Sequence, residues 1–247
     1  MPRSPISLLS RTDFNGDLLD EELFLRTFHQ LMEEHGYVQV CNVPNDFDYV
    51  RFCQSLGRFV PNYTGAVIGD VRPEPGMDDV YHAGNTRPLT PHSEGYDFSV
   101  LPPRYIALWC VTPAQGPGGE TTLADTTDWV AALEEDERAW LQNTEYEWKT
   151  TEGVNRLGLD LHTKHPILED HPNGRIVRFS CNNLIRDDDD LSARVQEHWR
   201  HRFDEEHVAI HYQRNDMLVW DNWRLLHARN AFSDRSRHLR RIQVAAA

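Results

Sequence analysis

The sequence predicts a mainly β fold with flanking helices, built as a sandwich or jelly roll. Many short apolar runs of strand length follow one another along the chain, separated by Gly, Pro, Asn and Asp residues, which is typical of these architectures. Hydrophobic residues make up 39% and aromatic residues 10% of the 247 residues, which is enough for a core. The chain shows no internal repeat and no linker-like segment. We therefore expect a single domain that spans residues 1–247.

The first elements are predicted to be a helix and a strand. Phe24, Phe28 and Leu31 recur at helical spacing behind an acidic start, which predicts a helix over 20–36 that ends at a glycine. A strand is predicted directly after it, over 37–40.

The middle of the chain is predicted to be a succession of short strands. A second helix is expected over 47–56, and the Pro- and Gly-rich segment 61–76 after it is typical of a loop and is a candidate lid. Residues 105–111 are apolar at both alternating sets of positions, which predicts a strand covered on both faces. Further strands are predicted over residues 120–124, 146–150, 175–180, 208–212, 217–220 and 238–244.

One helix interrupts the later strands. Its apolar residues are spaced by four, which predicts a core-facing stripe formed by Leu191, Val195, Trp199 and Phe203. Asp190 is placed to cap its N-terminus. The acidic run 187–190 is either a cation site or a solvated turn that ends in this cap.

The charge of the chain excludes several classes of partner. Lys and Arg number 25 against 39 Asp and Glu, and the resulting net charge of −14 argues against nucleic acids and anionic membranes. At long range it favours a cationic or zwitterionic substrate. No run approaches the ~20 apolar residues of a membrane-spanning helix, and residues 1–11 lack the apolar core of a signal peptide. The four cysteines form no CxxC pair, as expected of reduced thiols. We expect a cytoplasmic protein that acts on a small molecule, with a homo-oligomer left open.

The strongest local motif is Pro91-His92-Ser93-Glu94-Gly95. Residues two apart in an extended segment lie on the same side, so the imidazole of His92 and the carboxylate of Glu94 converge while Ser93 faces away. This pair supplies two ligands for a metal. Because an H-x-E pair is common in unrelated sequences, a third ligand is required.

His227 is the candidate third ligand. It ends an apolar strand-like run that starts at Met217, and a buried core histidine is the alternative interpretation. Its support comes from the following strand, where parity places four residues on one face: Arg237, Leu239, Arg241 and Gln243. Two inward guanidinium groups call for an anion such as a carboxylate, whereas an exposed Arg-rich edge strand is the alternative.

Two histidines and one carboxylate leave one side of a metal open, which is the facial triad of non-haem Fe(II) oxygenases. Four motifs occur in order: His92-x-Glu94, Gly118-Gly119-Glu120-Thr121, Trp220-Asp-Asn-Trp-Arg-Leu-Leu-His227 and Arg237-His-Leu-Arg-Arg241. With this order and spacing, residues 80–245 resemble the Fe(II)/2-oxoglutarate dioxygenases of the taurine dioxygenase (TauD/TfdA) family. The last two motifs are closest to its γ-butyrobetaine hydroxylase branch. The resemblance implies a double-stranded β-helix (jelly roll, cupin-like).

The resemblance also implies an activity and the roles of individual residues. O2 and 2-oxoglutarate would oxidise a C–H bond of a small molecule, most simply by hydroxylation, with succinate and CO2 as products. Fe(II) would be held by His92, Glu94 and His227. Arg237 would pair with the distal carboxylate of 2-oxoglutarate, and Arg241 would assist near the cofactor. Thr121 would hydrogen-bond the same carboxylate, with Thr122 as the alternative one register on.

Glu94 departs from the family pattern, which usually has Asp at this position. Resembling enzymes that hydroxylate free amino acids accommodate the longer side chain, so Glu94 favours a free amino acid or a natural-product intermediate as substrate. It argues against halogenation, which needs a small residue here. Residues near the motifs are candidates for the substrate pocket: Tyr81, Asn85, Thr90, Asn182 and Asn183.

Other functions remain as alternatives. Within the enzyme class, the runner-up is a sulfonate or aryloxyalkanoate dioxygenase of nutrient scavenging. A cupin-like protein that binds a metal or small ligand without oxidation would keep the metal ligands, but it would not need Arg237 and Thr121 together. A structural or interaction protein would bind neither iron nor 2-oxoglutarate. Desaturation, epoxidation or ring formation would use the same residues as hydroxylation.

Overall fold

Two antiparallel sheets face each other in the computed structural model, which describes residues 21–41, 43–185 and 189–246. The helices are α1 (Glu21–His35), α2 (Tyr49–Leu56), α3 (Thr127–Ala131), α4 (Glu135–Asn143), α5 (Glu152–Arg156) and α6 (Asp190–Glu206). The strands are β1 (Tyr37–Val40), β2 (Ile68–Val71), β3 (Leu89–His92), β4 (Tyr105–Thr112), β5 (Thr121–Asp125), β6 (Tyr146–Lys149), β7 (His162–His165), β8 (Leu168–His171), β9 (Gly174–Val177), β10 (Leu184–Ile185), β11 (Val208–Ile210), β12 (Met217–Asp221), β13 (Leu225–Arg229) and β14 (His238–Val244).

The strand order shows how the two sheets are assembled. The larger sheet has the order β1-β12-β4-β14-β2, and the sheet opposite has the order β11-β5-β13-β3. A three-stranded sheet (β10-β6-β7) and the β8-β9 hairpin complete the described strands. Strands distant in sequence pair antiparallel, as in a jelly roll. The predicted mainly β fold with flanking helices is confirmed.

Strand β4 explains why the core has several layers. Its Ile106, Leu108 and Cys110 side chains are buried between the two sheets, whereas Ala107 and Trp109 are buried on the opposite face, under α1 and α2. Alternating side chains of one strand therefore enter two separate cores. The prediction of a strand covered on both faces is confirmed.

A third core lies on the outer face of the smaller sheet. Val195, Trp199 and Phe203 of α6 are buried there against Leu226 and Ala228 of β13. The spacing by four predicted this stripe. The sheet that carries β13 is thus packed on both sides, which fixes the position of its side chains.

The cap of α6 differs from the prediction. The carboxylate of Asp189, not that of Asp190, accepts hydrogen bonds from the N–H groups of Leu191 and Ser192. Residues 186–188 lie outside the described residues, so the proposed cation site in the acidic run is not assessed there. Residues 1–11 and Asp20 lie outside them as well.

The segment 61–76 is not all loop. It contains β2, which adds an edge strand to the larger sheet by pairing Ile68 with Ile242 of β14. The helix predicted over 47–56 begins at Tyr49, and the other predicted strands differ from the observed ones by a few residues at their ends.

The run from Met217 to Arg229 forms two strands rather than one. A turn at residues 222–224 separates β12 in the larger sheet from β13 in the smaller one. His227 therefore lies in the middle of its own strand. In the described part of the chain, no helix combines the length and apolar composition that crossing a bilayer requires.

Candidate metal centre

Three side chains with ligand atoms converge between the two sheets: His92, Glu94 and His227. One ligand atom of each lies within 4.8 Å of those of the other two. The two imidazole rings are 4.1 Å apart, and Nε2 of His227 lies 3.8 Å from Oε2 of Glu94. Among the described residues, no other group of three or more His, Cys, Asp or Glu side chains is close enough to share a metal ion.

Strand pairing brings the two histidines together. His92 is the last residue of β3, and it lies directly opposite His227 of β13 in the antiparallel register. Ser93 then exchanges hydrogen bonds with Phe179, at 2.9 Å through its N–H and 3.0 Å through its Oγ. Because Ser93 faces away, Glu94 returns to the side of the histidines, as the sequence predicts.

The main chain of Glu94 is held by Asn222, which is 1% exposed. Oδ1 of Asn222 accepts a hydrogen bond from the N–H of Glu94 at 2.7 Å, and its Nδ2 donates to the Glu94 carbonyl at 2.9 Å. Asn222 lies in the turn that leads into β13 and His227. The same turn therefore positions two ligands, which gives the longer Glu side chain a fixed backbone from which to reach the metal.

Replacement of Asn222 with Ala is expected to raise the Kd for Fe(II) by about 10-fold to 100-fold, the usual cost of losing groups that orient metal ligands. Both polar main-chain groups of Glu94 would lose these partners while the three ligands remain. Anaerobic Fe(II) titration measures the change. Asn143→Ala, on the exposed surface of α4, is the matched control. Equal Fe(II) affinity in Asn222→Ala and wild type would contradict this role.

Both imidazoles are held in the neutral form that binds a metal. Burial lowers the pKa of His92, and burial together with the nearby His92 and Arg241 lowers the pKa of His227 well below its ordinary value. Nδ1 of His92 lies 2.8 Å from the carbonyl of Thr90 and donates to it. The lone pair of His92 is therefore on Nε2, the usual arrangement for a metal-binding histidine.

The carboxylate of Glu94 is contacted by two residues of β14. Nε2 of Gln243 donates to Oε1 at 3.1 Å, and Nη1 of Arg241 lies 3.0 Å from Oε2. Residues of the larger sheet thus orient the carboxylate of Glu94, which lies just after β3 of the smaller sheet. Sequence reasoning gave Gln243 no role, although strand parity placed it on the same face as Arg241.

Arg237 lies deeper in the same region and is 2% exposed. Its Nε donates to the carbonyl of Gly119 at 3.0 Å, while its Nη1 has no hydrogen-bond partner among the described residues. No described carboxylate forms an ion pair with it. A buried guanidinium without a carboxylate is costly unless an anion binds to it.

The glycine turn before β5 sets this arrangement. A Cβ at Gly118 would lie 1.8 Å from the carbonyl oxygen of Ala231, and Gly118 has φ +89°, so only glycine fits. The turn brings the Gly119 carbonyl to Arg237 and places Thr121 in the cavity wall. Thr122 is buried but does not line the cavity, which favours Thr121 of the two alternatives.

These residues fit an Fe(II) ion and a 2-oxoglutarate dianion. Two neutral imidazoles and one carboxylate aim at one point, the donor set that a facial triad supplies. The buried Arg237, with an unpaired Nη1, would provide the cation that a distal carboxylate requires.

A cavity of about 130 Å³ adjoins the three ligands. Both sheets contribute to its wall, which includes the rings of Tyr63, Tyr81 and Tyr96 and several aliphatic side chains. Three arginines reach the wall: Arg229, Arg237 and Arg241. Among the described residues that line it, Glu94 is the single carboxylate.

Of the five predicted substrate residues, the structure places Tyr81 in this wall. Its hydroxyl lies 2.9 Å from Oγ1 of Thr90 and accepts a hydrogen bond from the Thr90 N–H at 3.0 Å. The phenol oxygen is thus engaged by the protein, and the ring is left as an apolar surface.

The other four, Asn85, Thr90, Asn182 and Asn183, are not among the residues that line the cavity, and their role in substrate binding stays a prediction. Asn85 donates to the carbonyls of Met77 and Val80 and thereby shapes a turn. The hydroxyl of Thr90 is bonded by Tyr81 and Asn182. Asn183 is buried and donates to the carbonyl of Thr150. Each of these side chains holds main chain or a neighbour in place.

Sequence reasoning missed Arg229, which lies two residues after His227 on the same strand. Its Nη1 donates to the carbonyl of Ala83 at 2.7 Å, and its Nη2 donates to the carbonyl of Arg87 at 2.6 Å. The strand that carries a metal ligand therefore also holds the segment that includes Tyr81. The His-Ala-Arg spacing, which points both side chains to one face, was the signal for it.

Tyr63, from the segment predicted as a lid, also lines the cavity, and no sequence signal pointed to it. Its hydroxyl donates to both carboxylate oxygens of Asp97, at 2.6 and 2.9 Å. Asp97 is fully buried, and burial raises its pKa to about 6.

Asp97 is expected to make the stability of the metal-free protein depend on pH. Its pKa rises from 3.8 unfolded to about 6 folded, so ionisation opposes folding as the pH rises through this window. The cost reaches about 3 kcal/mol above pH 6 and vanishes below pH 4. Asp97→Asn, which lacks this cost, should gain stability over wild type between pH 4 and 6 and keep the gain above it. Urea unfolding at pH 4, 5, 6 and 8 measures it, and a pH-independent difference would contradict the assignment.

Comparisons with known proteins agree with this geometry. The model of the taurine catabolism dioxygenase TauD, TfdA family matches residues 4–243. A tyrosine isonitrile desaturase of Pseudomonas aeruginosa is 26% identical over 88% of this chain and 78% of its own length. A 3-((Z)-2-isocyanoethenyl)-1H-indole synthase of Fischerella ambigua is 26% identical over 96% of this chain and 92% of its own. An asparagine oxygenase solved with Fe(II), hydroxyasparagine and succinate superposes with a TM-score of 0.77 and 17% identity, over 91% of this chain and 79% of its own.

Proposed function

The chain belongs to the taurine catabolism dioxygenase (TauD, TfdA) family, and from this premise we propose that it oxidises a C–H bond of an amino-acid-derived carboxylate. It is an Fe(II)/2-oxoglutarate-dependent oxygenase. The observation that carries the proposal is one cavity in which three metal-ligand atoms lie beside a buried arginine that no described carboxylate neutralises.

In this proposal, His92, Glu94 and His227 hold the iron, which supplies O2 activation coupled to the oxidative decarboxylation of 2-oxoglutarate. Arg237 and Thr121 hold the distal carboxylate and thereby orient the co-substrate. The tyrosine rings and aliphatic side chains of the wall exclude water and keep a substrate C–H bond close to the metal. Hydroxylation is the expected outcome, and desaturation would use the same groups.

The charge of the cavity wall bears on the substrate. The charges of Fe(II) and the 2-oxoglutarate dianion cancel. The described wall then carries the positive charges of three arginines and the negative charge of Glu94. The site is therefore cationic and favours a substrate that carries a carboxylate. The net charge of −14 favours cationic substrates at long range, but these close and desolvated arginines outweigh it inside the site.

The same wall distinguishes two kinds of amino-acid substrate. A free amino acid, as acted on by asparagine oxygenase, brings an α-ammonium group that needs a carboxylate or several acceptors when it is buried. Glu94 is the single carboxylate of the described wall, and in this proposal it binds the metal. This favours an amino acid whose nitrogen is masked and uncharged. The isonitrile and isocyano groups in the names of the two relatives are consistent with a substrate whose nitrogen is masked.

A pair of ligands that differ at one group tests the proposal. The anaerobic Fe(II)–2-oxoglutarate complex is titrated with L-tyrosine and with L-tyrosine isonitrile, and the visible charge-transfer band is monitored. We expect the isonitrile to perturb the band at a concentration at least about 10-fold lower, because an uncompensated buried ammonium group is costly. Succinate release in air then reports turnover.

The controls separate the alternatives. Taurine and an aryloxyacetate test the scavenging dioxygenases, and turnover of either in preference to both tyrosine compounds would replace the proposal. Tight iron binding, with no succinate formed from 2-oxoglutarate in the presence of any of these compounds, would favour the cupin-like binding protein. A perturbation by L-tyrosine but not by its isonitrile would restore the free amino acid as substrate.

Two further predictions accompany the function: a cytoplasmic location and assembly into a homo-oligomer. The four cysteines all lie in the described part of the chain and form no disulfide, which agrees with a cytoplasmic location. Light scattering coupled to size-exclusion chromatography tests the homo-oligomer.

A further inference from the structure

Next to the wall of the cavity lies Tyr212, a partly buried tyrosine to which neither the sequence nor the proposed function assigns a role. Tyr212 follows β11, the strand whose Ile210 pairs with Thr121 of β5. Its hydroxyl donates a hydrogen bond to Oγ1 of Thr121 at 2.8 Å. Tyr212 does not itself line the cavity, whereas its partner Thr121 does.

The direction of this bond decides what Thr121 can do. A threonine hydroxyl has one proton to donate and two lone pairs that accept. A phenol O–H is more acidic than an aliphatic hydroxyl and is the stronger donor, so Tyr212 donates to Thr121. Burial raises the pKa of the phenol, which keeps the donated proton in place. With an O–H already pointing at Oγ1, the proton of Thr121 turns elsewhere, and Thr121 is 4% exposed in the cavity wall.

Arg237 supplies the second half of the arrangement. Its guanidinium lines the same cavity, and its Nη1 has no partner among the described residues. An inward hydroxyl proton and a guanidinium Nη1 without a partner, both in the wall of one cavity, form a site for an anion, whereas an inward lone pair would repel it. A hydroxyl that itself accepts a hydrogen bond is also the stronger donor, since hydrogen bonds in a chain polarise one another.

We propose that Tyr212 is a positioning residue that turns the hydroxyl proton of Thr121 toward the distal carboxylate of 2-oxoglutarate. The proposal rests on the proposed function, because it takes 2-oxoglutarate as the anion at Arg237. Tyr212 is not among the residues that line the cavity, so in this proposal it acts through Thr121. Its effect is on which 2-oxo acid the enzyme accepts.

Tyr212→Phe removes the phenol oxygen and retains the ring. We expect the Kd of 2-oxoglutarate to rise about fivefold to tenfold in anaerobic Fe(II) titrations, the scale of one hydrogen bond. The Kd of 2-oxopentanoate, which has the same chain length but lacks the distal carboxylate, should not change. The selectivity between the two acids therefore falls by the same factor. Fe(II) affinity without a 2-oxo acid should stay at the wild-type value.

Tyr146→Phe is the matched control, since it likewise deletes a tyrosine hydroxyl that donates to one side chain, here that of Asp189. It should leave the selectivity unchanged. Thr121→Val is expected to lower the selectivity more than Tyr212→Phe does. Adding Tyr212→Phe to Thr121→Val should cause no further loss, because the phenol then has no hydroxyl to orient.

The outcomes separate the possible failures. If Tyr212→Phe raises the Kd of both 2-oxo acids by the same factor and lowers the Tm, the phenol has only a structural role, and the proposal is overturned. Unchanged selectivity would overturn it as well, while a normal wild-type complex would leave the proposed function intact. A wild-type protein that binds Fe(II) but gives no 2-oxoglutarate-dependent band would overturn the function on which the proposal rests.

Discussion

Replacing His227 with Ala is expected to abolish iron-dependent succinate formation. In the proposed metal centre His227 would supply one of three protein ligands, and its Nε2 lies 3.8 Å from Oε2 of Glu94. The two remaining ligands come from one short segment, so the metal loses all attachment to β13. Because even the groups that orient ligands cost about 10-fold to 100-fold in affinity, loss of a ligand should raise the Kd for Fe(II) by more than about 100-fold.

The measurement pairs Fe(II) titration with a succinate assay at saturating iron. His201→Ala is the control, since His201 lies on the exposed side of α6 and has no contact with the site. His227→Gln tests whether filling the space restores folding without restoring iron binding. Turnover by His227→Ala at the wild-type rate would refute the metal centre.

Replacing Arg237 with Leu is expected to raise the KM for 2-oxoglutarate by about two to three orders of magnitude. Removal of one partner from a buried, hydrogen-bonded charge pair leaves the other charge without compensation. Arg237 is 2% exposed, so the carboxylate would lose its charged partner in a site that bulk water solvates poorly. Arg237→Lys should recover little, because a lysine lacks the planar fork that binds a carboxylate with two donors.

A second co-substrate makes this result specific. With 2-oxopentanoate, whose far end is apolar, Arg237→Leu should match or exceed wild type, so the preference between the two acids reverses. Arg235→Leu is the control, since Arg235 is exposed and pairs with Asp78. A KM for 2-oxoglutarate within twofold of wild type in Arg237→Leu would remove Arg237 from the co-substrate site.

Strand parity accounts for the part of the site that was predictable. It placed His92 with Glu94, and Arg237 with Arg241, on shared faces, and the structure confirms both arrangements. Parity is set by the backbone alone, so it survives without knowledge of the tertiary fold. It also put Gln243 on the correct face, but nothing local showed that Glu94 would lie opposite.

The missed contacts concern side chains whose partners are distant in sequence. Thr90 is two residues before His92 and was expected in the pocket, but its hydroxyl is bonded by Tyr81 and Asn182. Asn222 contacts Glu94 across 128 residues, and Tyr212 contacts Thr121 across 91. Such pairs exist only after the sheets have formed, which is why a single sequence does not reveal them.

The division of the site between two sheets has a consequence for the life of the protein. The proposed iron ligands lie on or next to the smaller sheet, whereas Arg237 belongs to the segment that enters β14 of the larger one. A co-substrate bound at one end by the metal and at the other by Arg237 would contact both sheets. It would not bind the unfolded chain in this way. At a concentration 100 times its Kd, it would add about 2.7 kcal/mol to folding. The supply of a central metabolite would thus set resistance to proteolysis as well as the rate of turnover.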